Sequence, residues 1–386
     1  MAMETNNTPA LRFPGFAEEW EEKTLGEVFK TYSGGTPDTT KKKAYYGGTI
    51  PFIRSAEINK EETELFLTQE GLEKSSAKLV NKGDLLVALY GANSGDSAIA
   101  KINGAINQAV LCLQSENSNV FVQNFLQHNR ELITQKYLQG GQGNLSGEII
   151  KSIRVPFPSS KEQKKIAAFL VSLDALITEA VKRLEWLQQH KKGLLQQLFP
   201  CEGSNTPELR FAGFTGEWEE KTLGEVLSYI QPTPYIVEST VYDPAGTPVL
   251  TAGKTFVLGY TDEADGIFTN LPTIIFDDFT TESRYINFPF KVKSSAIKML
   301  TLKDDNNDLY FLYSLMSTID FTVGAHKRYW ISEFQNLIVS IPSLPEQQKI
   351  ASCLSSLDTL LEKQQERITL LKTHKKGLLQ QLFPNY

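Results

Sequence analysis

A chain of 386 residues and 43.3 kDa is long for one ordinary domain, and 41% hydrophobic with 22% charged residues excludes wholesale disorder. The formal net charge of −6, from 39 Lys+Arg and 45 Asp+Glu, argues at first sight against a polyanion binder, although an average hides local patches. No leader-like or membrane-spanning apolar run is visible, and three scattered cysteines (Cys112, Cys201, Cys353) lack zinc or disulfide spacing, so a soluble cytoplasmic protein is expected.

In chain order, a lead-in segment LRFPGFAEEWEEKTLGEV (Leu11–Val28) comes first. The stretch 29–155 then reads as mixed α/β. Its strand candidates are Asp84–Tyr90, a strand ending near Ala109–Leu113, and Ile149–Val155, with a helix over Val120–Leu138. A long helix is predicted over Ser160–Phe199, its apolar positions Ile166, Leu170, Leu173, Ile177, Ala180, Leu184, Leu187, Leu194 and Leu198 alternating in steps of four and three. Sustained a/d spacing of this kind is a coiled-coil seam. Ser160 and Gln163 have capping-box spacing at its start.

The lead-in then returns as LRFAGFTGEWEEKTLGEV (Leu209–Val226), differing only at Pro14/Ala212, Ala17/Thr215 and Glu18/Gly216. The stretch 229–341 repeats the element order with a different sequence: strands over Thr273–Phe279, Ala296–Leu300 and Asn336–Ile341, and a helix over Asp308–Thr318. A second long helix follows over Leu344–Phe383, with seam positions Ile350, Leu354, Leu357, Leu361, Gln364, Ile368, Leu371, Leu378 and Leu382, and Pro345 in its first turn. Both helices end in HKKGLLQQLFP (His190–Pro200, His374–Pro384). The chain is therefore written twice, as constant frame and variable head.

Four segments follow: a first head at 1–155 with its lead-in at 11–28, a spacer helix at 156–200, a second head at 201–341 with its lead-in at 209–226, and a spacer helix at 342–386. The expected fold is two α/β (α+β) heads separated by a pair of long antiparallel coiled-coil helices, in a circular pseudo-two-fold layout. Lys191 and Lys375 interrupt the seam and are expected to weaken it locally unless their stems pack and their ammonium groups reach water.

No catalytic constellation emerges. Gly253-Lys254-Thr255 mimics the end of a phosphate-binding loop, but the required upstream glycine position holds Pro248. Asn287-Phe288-Pro289-Phe290 echoes an adenine-methyltransferase motif only faintly, and no methyl-donor loop precedes it. Asp277, Asp278 and Glu282 read as solvated turn acids, and the four histidines have no metal spacing.

What the heads do carry is glycine-rich polar loops interleaved with basic and aromatic residues. In the first head these are Gly34-Gly35-Thr36, Lys41-Lys42-Lys43, Arg54-Ser55, Tyr90, Asn93-Ser94, and Gln142 with Asn144. In the second they are Thr251, Gly253-Lys254, Phe279-Thr280-Thr281, Arg284, Lys291, Lys293 and His326-Lys327-Arg328-Tyr329. Glycine permits close backbone approach, Lys and Arg meet phosphates, and Arg, Asn and Gln read base edges. The repeated frame supplies candidates for a surface that binds one kind of partner twice: Trp20, Leu25, His190, Lys191 and Lys192, and their counterparts Trp218, Leu223, His374, Lys375 and Lys376.

The repeated W-x-x-x-x-L-G-E-V at Trp20–Val28 and Trp218–Val226, the repeated E-Q-x-K-I-A within Pro158–Ala167 and Pro342–Ala351, and the Gly-Gly-Thr-Pro37 loop with Gly48–Arg54 resemble the specificity (DNA-recognition) subunit of type I restriction–modification enzymes, across essentially the whole chain. The resemblance implies two target recognition domains reading a split double-stranded DNA sequence, and helices that set the spacing and bind two methyltransferase subunits. It further implies restriction/translocase subunits as partners, no membrane, and no cofactor in this chain, with S-adenosylmethionine, ATP and Mg in the partners. A coiled-coil scaffold with protein-binding heads, a methylation-only system and a diverged methyltransferase are the competing readings. By segment, each lead-in region (1–28 and 201–228) carries two cations against six carboxylates, so much of the acidity lies outside the expected DNA loops. Modest DNA affinity is expected from the chain alone.

Overall fold

The structure, a computed structural model, describes residues 8–115, 119–138, 144–201, 203–251, 255–323 and 328–384. The chain divides into two compact units, Met1–Val181 with Arg367–Tyr386, and Lys182–Glu366.

The first unit is built on an antiparallel sheet of β1 (Lys30–Ser33), β2 (Leu85–Ala88), β3 (Ser97–Ile99) and β4 (Val110–Gln114), in the order β1-β4-β2-β3. The run Leu85-Leu86-Val87-Ala88 is apolar throughout because both faces are covered. Leu85 and Val87 join a core with Trp20, Leu25 and Phe121, while Leu86 and Ala88 join another with Ile53 and Val80. A smaller sheet pairs Tyr46–Ile53 with Phe66–Leu67 and Gly104–Ile106, the last also pairing with Lys78–Val80. The helix expected over Val120–Leu138 is two, Asn119–His128 and Arg130–Leu138. The break falls at Asn129, whose backbone N–H and side-chain amide both donate to the Phe125 carbonyl at 3.0 Å. Residues 149–152, expected as strand, are helical within Gly147–Ser152, because the Ser146 hydroxyl caps the Ile149 N–H at 3.2 Å; the strand begins at Arg154.

The second unit repeats the sheet with β5 (Leu227–Ile230), β6 (Thr273–Asp277), β7 (Ser283–Ile286) and β8 (Ile297–Leu302), in the order β5-β8-β6-β7. Its smaller sheet has three strands, Thr247–Leu250, Val257–Thr261 and Lys291–Val292. The main sheets share one topology over unlike sequences.

The lead-in is folded the same way in both units. Glu21–Thr24 pairs antiparallel with Arg154–Phe157, and Glu219–Thr222 with Ile338–Ile341. The T-L-G-E sequence then turns one helical step: the backbone N–H and hydroxyl of Thr24 donate to the Glu27 carboxylate at 2.6 and 2.8 Å, and those of Thr222 to Glu225 at 2.5 and 2.8 Å. These bonds, the backbone one foremost, hold both glutamates below the ordinary carboxylate range.

One contact ties each lead-in to a long helix. Arg12 meets Glu162 in fork geometry, Nε to Oε1 at 2.9 Å and Nη2 to Oε2 at 2.6 Å, and the Trp20 indole N–H adds a bond to Oε2 at 3.2 Å. Arg210 grips Glu346 likewise, at 2.7 and 2.8 Å. Both carboxylates are almost inaccessible, at 1% and 2%.

The long helices span α1 (Ser160–Leu198) and α2 (Leu344–Leu382), each about 58 Å at ~1.5 Å per residue. Every predicted seam position is buried or half-buried. Ser159 caps α1, its hydroxyl meeting the Glu162 N–H, while Gln163 donates to the Pro158 carbonyl; the expected Ser160/Gln163 box is displaced by one residue. Within each unit the helical segments run antiparallel. In the first, Leu170 packs near Leu378 and Leu382 while Lys375 pairs with Asp174 at 2.6 Å; in the second, Leu354 packs near Leu194 and Leu198 while Lys191 pairs with Asp358. The two lysines therefore do not loosen the seam but bond across it, a correction to the sequence reading. The Leu11 N–H donates to the Gln381 carbonyl at 2.9 Å, as the Leu209 N–H does to Gln197 at 2.9 Å. The first lead-in thus sits on the end of α2 as the mid-chain lead-in sits on the end of α1.

Removing one partner of a buried pair strands the other charge, at a cost of about 3–5 kcal/mol. Arg12→Ala is expected to lower unfolding stability by roughly that amount in urea melts, and Arg12→Met with Glu162→Leu to recover a large part of it.

Candidate nucleic-acid interface

At one end of each main sheet, four chain segments converge. In the first unit they are the end of β1 with Gly34 and Gly35, the Asn107-Gln108 turn before β4, and the β2–β3 turn from Leu89 to Asp96. The fourth is the Asn144-Leu145 segment. The Leu89 N–H donates to the Ala109 carbonyl at 2.8 Å, and the Leu89 carbonyl accepts the Leu145 N–H at 3.0 Å. The turn is closed by Ser94, whose hydroxyl donates to the Leu89 carbonyl at 2.9 Å, with Gly91 at φ +79°. Arg130 braces it from behind, paired with Asp96 at 2.9 Å and donating to the Ser94 carbonyl at 3.2 Å.

The second unit builds the same corner from different chemistry. The Asp278 N–H donates to the Ala296 carbonyl at 2.9 Å, and the Asp278 carbonyl accepts the Tyr329 N–H at 2.9 Å. The Asp277 carboxylate accepts the Phe279 N–H at 2.8 Å, and Thr281 takes the left-handed conformation at φ +62°. Asp278 accepts the Trp330 N–H at 2.9 Å and lies 3.7 Å from Lys298, both side chains buried. The two aspartates are thus interior scaffolding, not the solvated turn acids read from sequence. Arg328 donates to the Ser295 hydroxyl at 3.1 Å, and Arg284 stacks on Phe256 at 4.6 Å.

Of the predicted DNA-contact residues, the structure brings Gly34, Gly35, Thr36, Tyr90, Asn93, Ser94 and Asn144 to one corner and Phe279, Thr280, Thr281, Arg284, Arg328 and Tyr329 to the other. Their roles separate. Gly34 is required by packing, since a Cβ there would lie 1.8 Å from the Ile106 carbonyl oxygen. Ser94 is buried inside its turn, and Tyr329 is 2% exposed and packs on Phe321. Tyr90, Thr36, Asn144, Phe279, Thr280, Arg284 and Arg328 are exposed. Ser55 and Asn93 line one small cavity of ≈ 220 Å³.

Other predicted residues are occupied elsewhere. Arg54 is held by Glu57 at 3.0 Å and Glu64 at 2.5 Å, so its charge is compensated within the chain. Lys291 is buried, bonded to Glu263 at 2.6 Å and the Asp265 carbonyl at 2.7 Å. Lys41 lies over the Tyr45 ring; Lys43 and Lys293 are exposed, and Thr251 is half-buried. The Lys42 side chain, Gln142, Gly253, Lys254, His326 and Lys327 lie outside the described residues. Sequence reasoning missed Gln108, which accepts from the Thr36 hydroxyl at 2.6 Å, and Ser295; only the strand pairing places them at the corners.

The candidate partner residues divide likewise. Trp20, Leu25, Trp218 and Leu223 are core, between 0% and 3% exposed, so their repetition reflects a shared internal joint. Lys191 and Lys375 are tied to Asp358 and Asp174. His190, Lys192, His374 and Lys376 are exposed, with His190 stacked on Trp186 at 5.2 Å. Among the described residues no cluster of His, Cys, Asp and Glu is arranged to hold a metal, and no helix is long and apolar enough to cross a membrane.

Two unlike loop corners on one repeated frame define a modular recognition protein. Residues 17–188 and 215–372 match the type I restriction modification DNA specificity domain, and the chain belongs to that family. A specificity subunit is the DNA-recognition component of its system and is not itself an enzyme. The chain is 44% identical over 157 residues to the EcoR124I/EcoR124II specificity subunit of Escherichia coli, a match covering 39% of this chain and 38% of that protein's length. It is 26% identical over 405 residues to the MjaIX specificity subunit of Methanocaldococcus jannaschii, covering 95% of this chain and 93% of that one. The fold matches the crystal structure of a type I S subunit from M. genitalium with a TM-score of 0.66 at 18% identity, over 98% of this chain and 100% of that one.

Burial works to raise the Glu57 pKa, but hydrogen bonds from Arg54 and from the backbone of Glu64 and Arg54 outweigh it and bring the group below its ordinary value. A depressed carboxylate stabilises the fold above its unfolded pKa of about 4.3, and that contribution is lost as pH falls through the folded value. Glu57→Gln is therefore expected to flatten the acid limb of a pH–stability profile below about pH 4.3, measured by thermal melts.

Proposed function

We propose that this chain reads an asymmetric, two-part sequence in double-stranded DNA, one part through each recognition domain. The domains are assigned to 1–155 and 201–341, and the spacer helices to 156–200 and 342–386. The observation that carries the reading is the pair of corners: one strand topology, closed by equivalent backbone bonds at Leu89 and Asp278, presenting unlike exposed side chains. Identical heads would suit a palindrome; unlike heads suit two different half-sites.

The repeated helices are assigned to two modification subunits, with restriction/translocase subunits completing a nuclease. Methyl donor, ATP and Mg belong to those partners. Support comes from exposed apolar residues at equivalent repeat positions, Leu176 with Leu360 and Trp186 with Leu370, which are 48, 48, 62 and 70% accessible. Each unit carries one from each helix, beside the exposed His190-Lys192 or His374-Lys376 step. Exposed apolar side chains repeated at matched positions are the surface expected for one kind of partner bound twice.

Replacing residues 29–155 with the corresponding stretch of another specificity subunit should change one half of the methylated sequence and leave the other intact, read by sequencing the methylated DNA; a change in both halves contradicts independent heads. Trp186→Glu with Leu370→Glu is expected to weaken capture of the modification subunit at least about tenfold in pull-downs, with an unchanged melting temperature.

A further inference from the structure

The two corners can be overlaid by hydrogen bonds alone, without reference to their sequences. Leu89 corresponds to Asp278, Ala109 to Ala296 and Leu145 to Tyr329, because the same backbone groups bond in the same directions. The next residue along each turn is then fixed: Tyr90 in the first unit and Phe279 in the second. The surrounding turns, Tyr-Gly-Ala-Asn and Phe-Thr-Thr-Glu, share nothing else. Yet both positions hold an aromatic ring, and the rings are equally exposed, at 39% and 40%.

Turn tips favour small polar residues, so a ring there has to be accounted for at two equivalent sites. Neither ring packs on another ring or a cation among the described residues. Both are mounted on rigid backbone. Phe279 is held through its N–H by the buried Asp277 carboxylate, and the turn carrying Tyr90 is closed by the buried Ser94. An exposed ring on a fixed backbone loses little conformational entropy when it is covered. Duplex DNA offers such a ring two apolar surfaces, the thymine methyl in the major groove and the face of an unstacked base.

We propose that Tyr90 and Phe279 are one repeated recognition element, each ring packing on the apolar surface of a base inside its own half-site. The inference rests on the DNA-reading function above and deepens it by assigning the contact chemistry. Asn144 and Arg328 hold equivalent chain positions at the two corners, each preceding the residue whose N–H caps the turn.

The test uses the complex assembled with its modification subunits, and as probe the duplex that the wild-type complex methylates, identified by sequencing its product. Tyr90→Ala and Phe279→Ala should each weaken binding roughly five- to a hundredfold, the range for loss of one base–aromatic contact. Discrimination should fall in one half-site for the first variant and in the other half-site for the second. Tyr90→Phe and Phe279→Tyr should bind within about twofold of wild type, and all four variants should melt like the wild type. Deoxyuridine in place of thymidine in one half reproduces the loss where the ring meets a methyl group. A 2-aminopurine whose fluorescence rises on binding to an alanine variant, relative to wild type, marks a stacked base instead. Wild-type-like affinity and discrimination in both alanine variants would overturn the assignment of the rings alone. Failure of the wild-type complex to prefer any sequence would overturn the DNA-reading function itself.

Discussion

A buried carboxylate at the start of each long helix organises this chain. Glu162 and Glu346 sit in the first helical turn, where unpaired backbone N–H groups and the helix dipole favour a negative charge. Each is closed off from water and therefore needs a cation with matching geometry; Arg12 and Arg210 supply it through two parallel bonds. The clamp fixes the lead-in against the helix, and the lead-in strand in turn pairs with the strand that feeds that helix. Every residue of the clamp lies in a repeated segment, so the stretch between lead-in and helix can change without disturbing the joint.

That separation explains how one topology carries two surfaces. The main sheets keep their strand order while the residues behind the corners differ in kind: Leu89 and Leu111 occupy, in apolar form, the places of the buried Asp278 and Lys298. The heads also differ in charge. Residues 29–155 hold fourteen cations and twelve carboxylates, whereas 229–341 hold eight and thirteen. In the proposed function the acidic second head relies on few basic side chains, Arg284 and Arg328 foremost, and partner subunits supply much of the remaining attraction to phosphate.

The long helices were legible in the sequence because a seam repeats every three or four residues and needs no knowledge of the rest of the chain. Its two lysines were misread for the opposite reason: their partners Asp358 and Asp174 lie 167 and 201 residues away. Repetition marked Trp20, Leu25, Trp218 and Leu223 as important but could not say whether they join the chain to itself or to another protein. Burial decides for the first. The loop motifs found the two corners, yet could not separate an exposed Phe279 from a buried Tyr329, or reveal that Arg54 already has two carboxylate partners.

The central claim, that two unlike heads read two unlike half-sites, is tested most directly by sequencing the methylated DNA from cells that express this chain with the modification subunit proposed for it. The account predicts a single motif made of two different specified blocks separated by a gap of fixed length and free sequence. A continuous motif, or a palindromic one with identical halves, would contradict it.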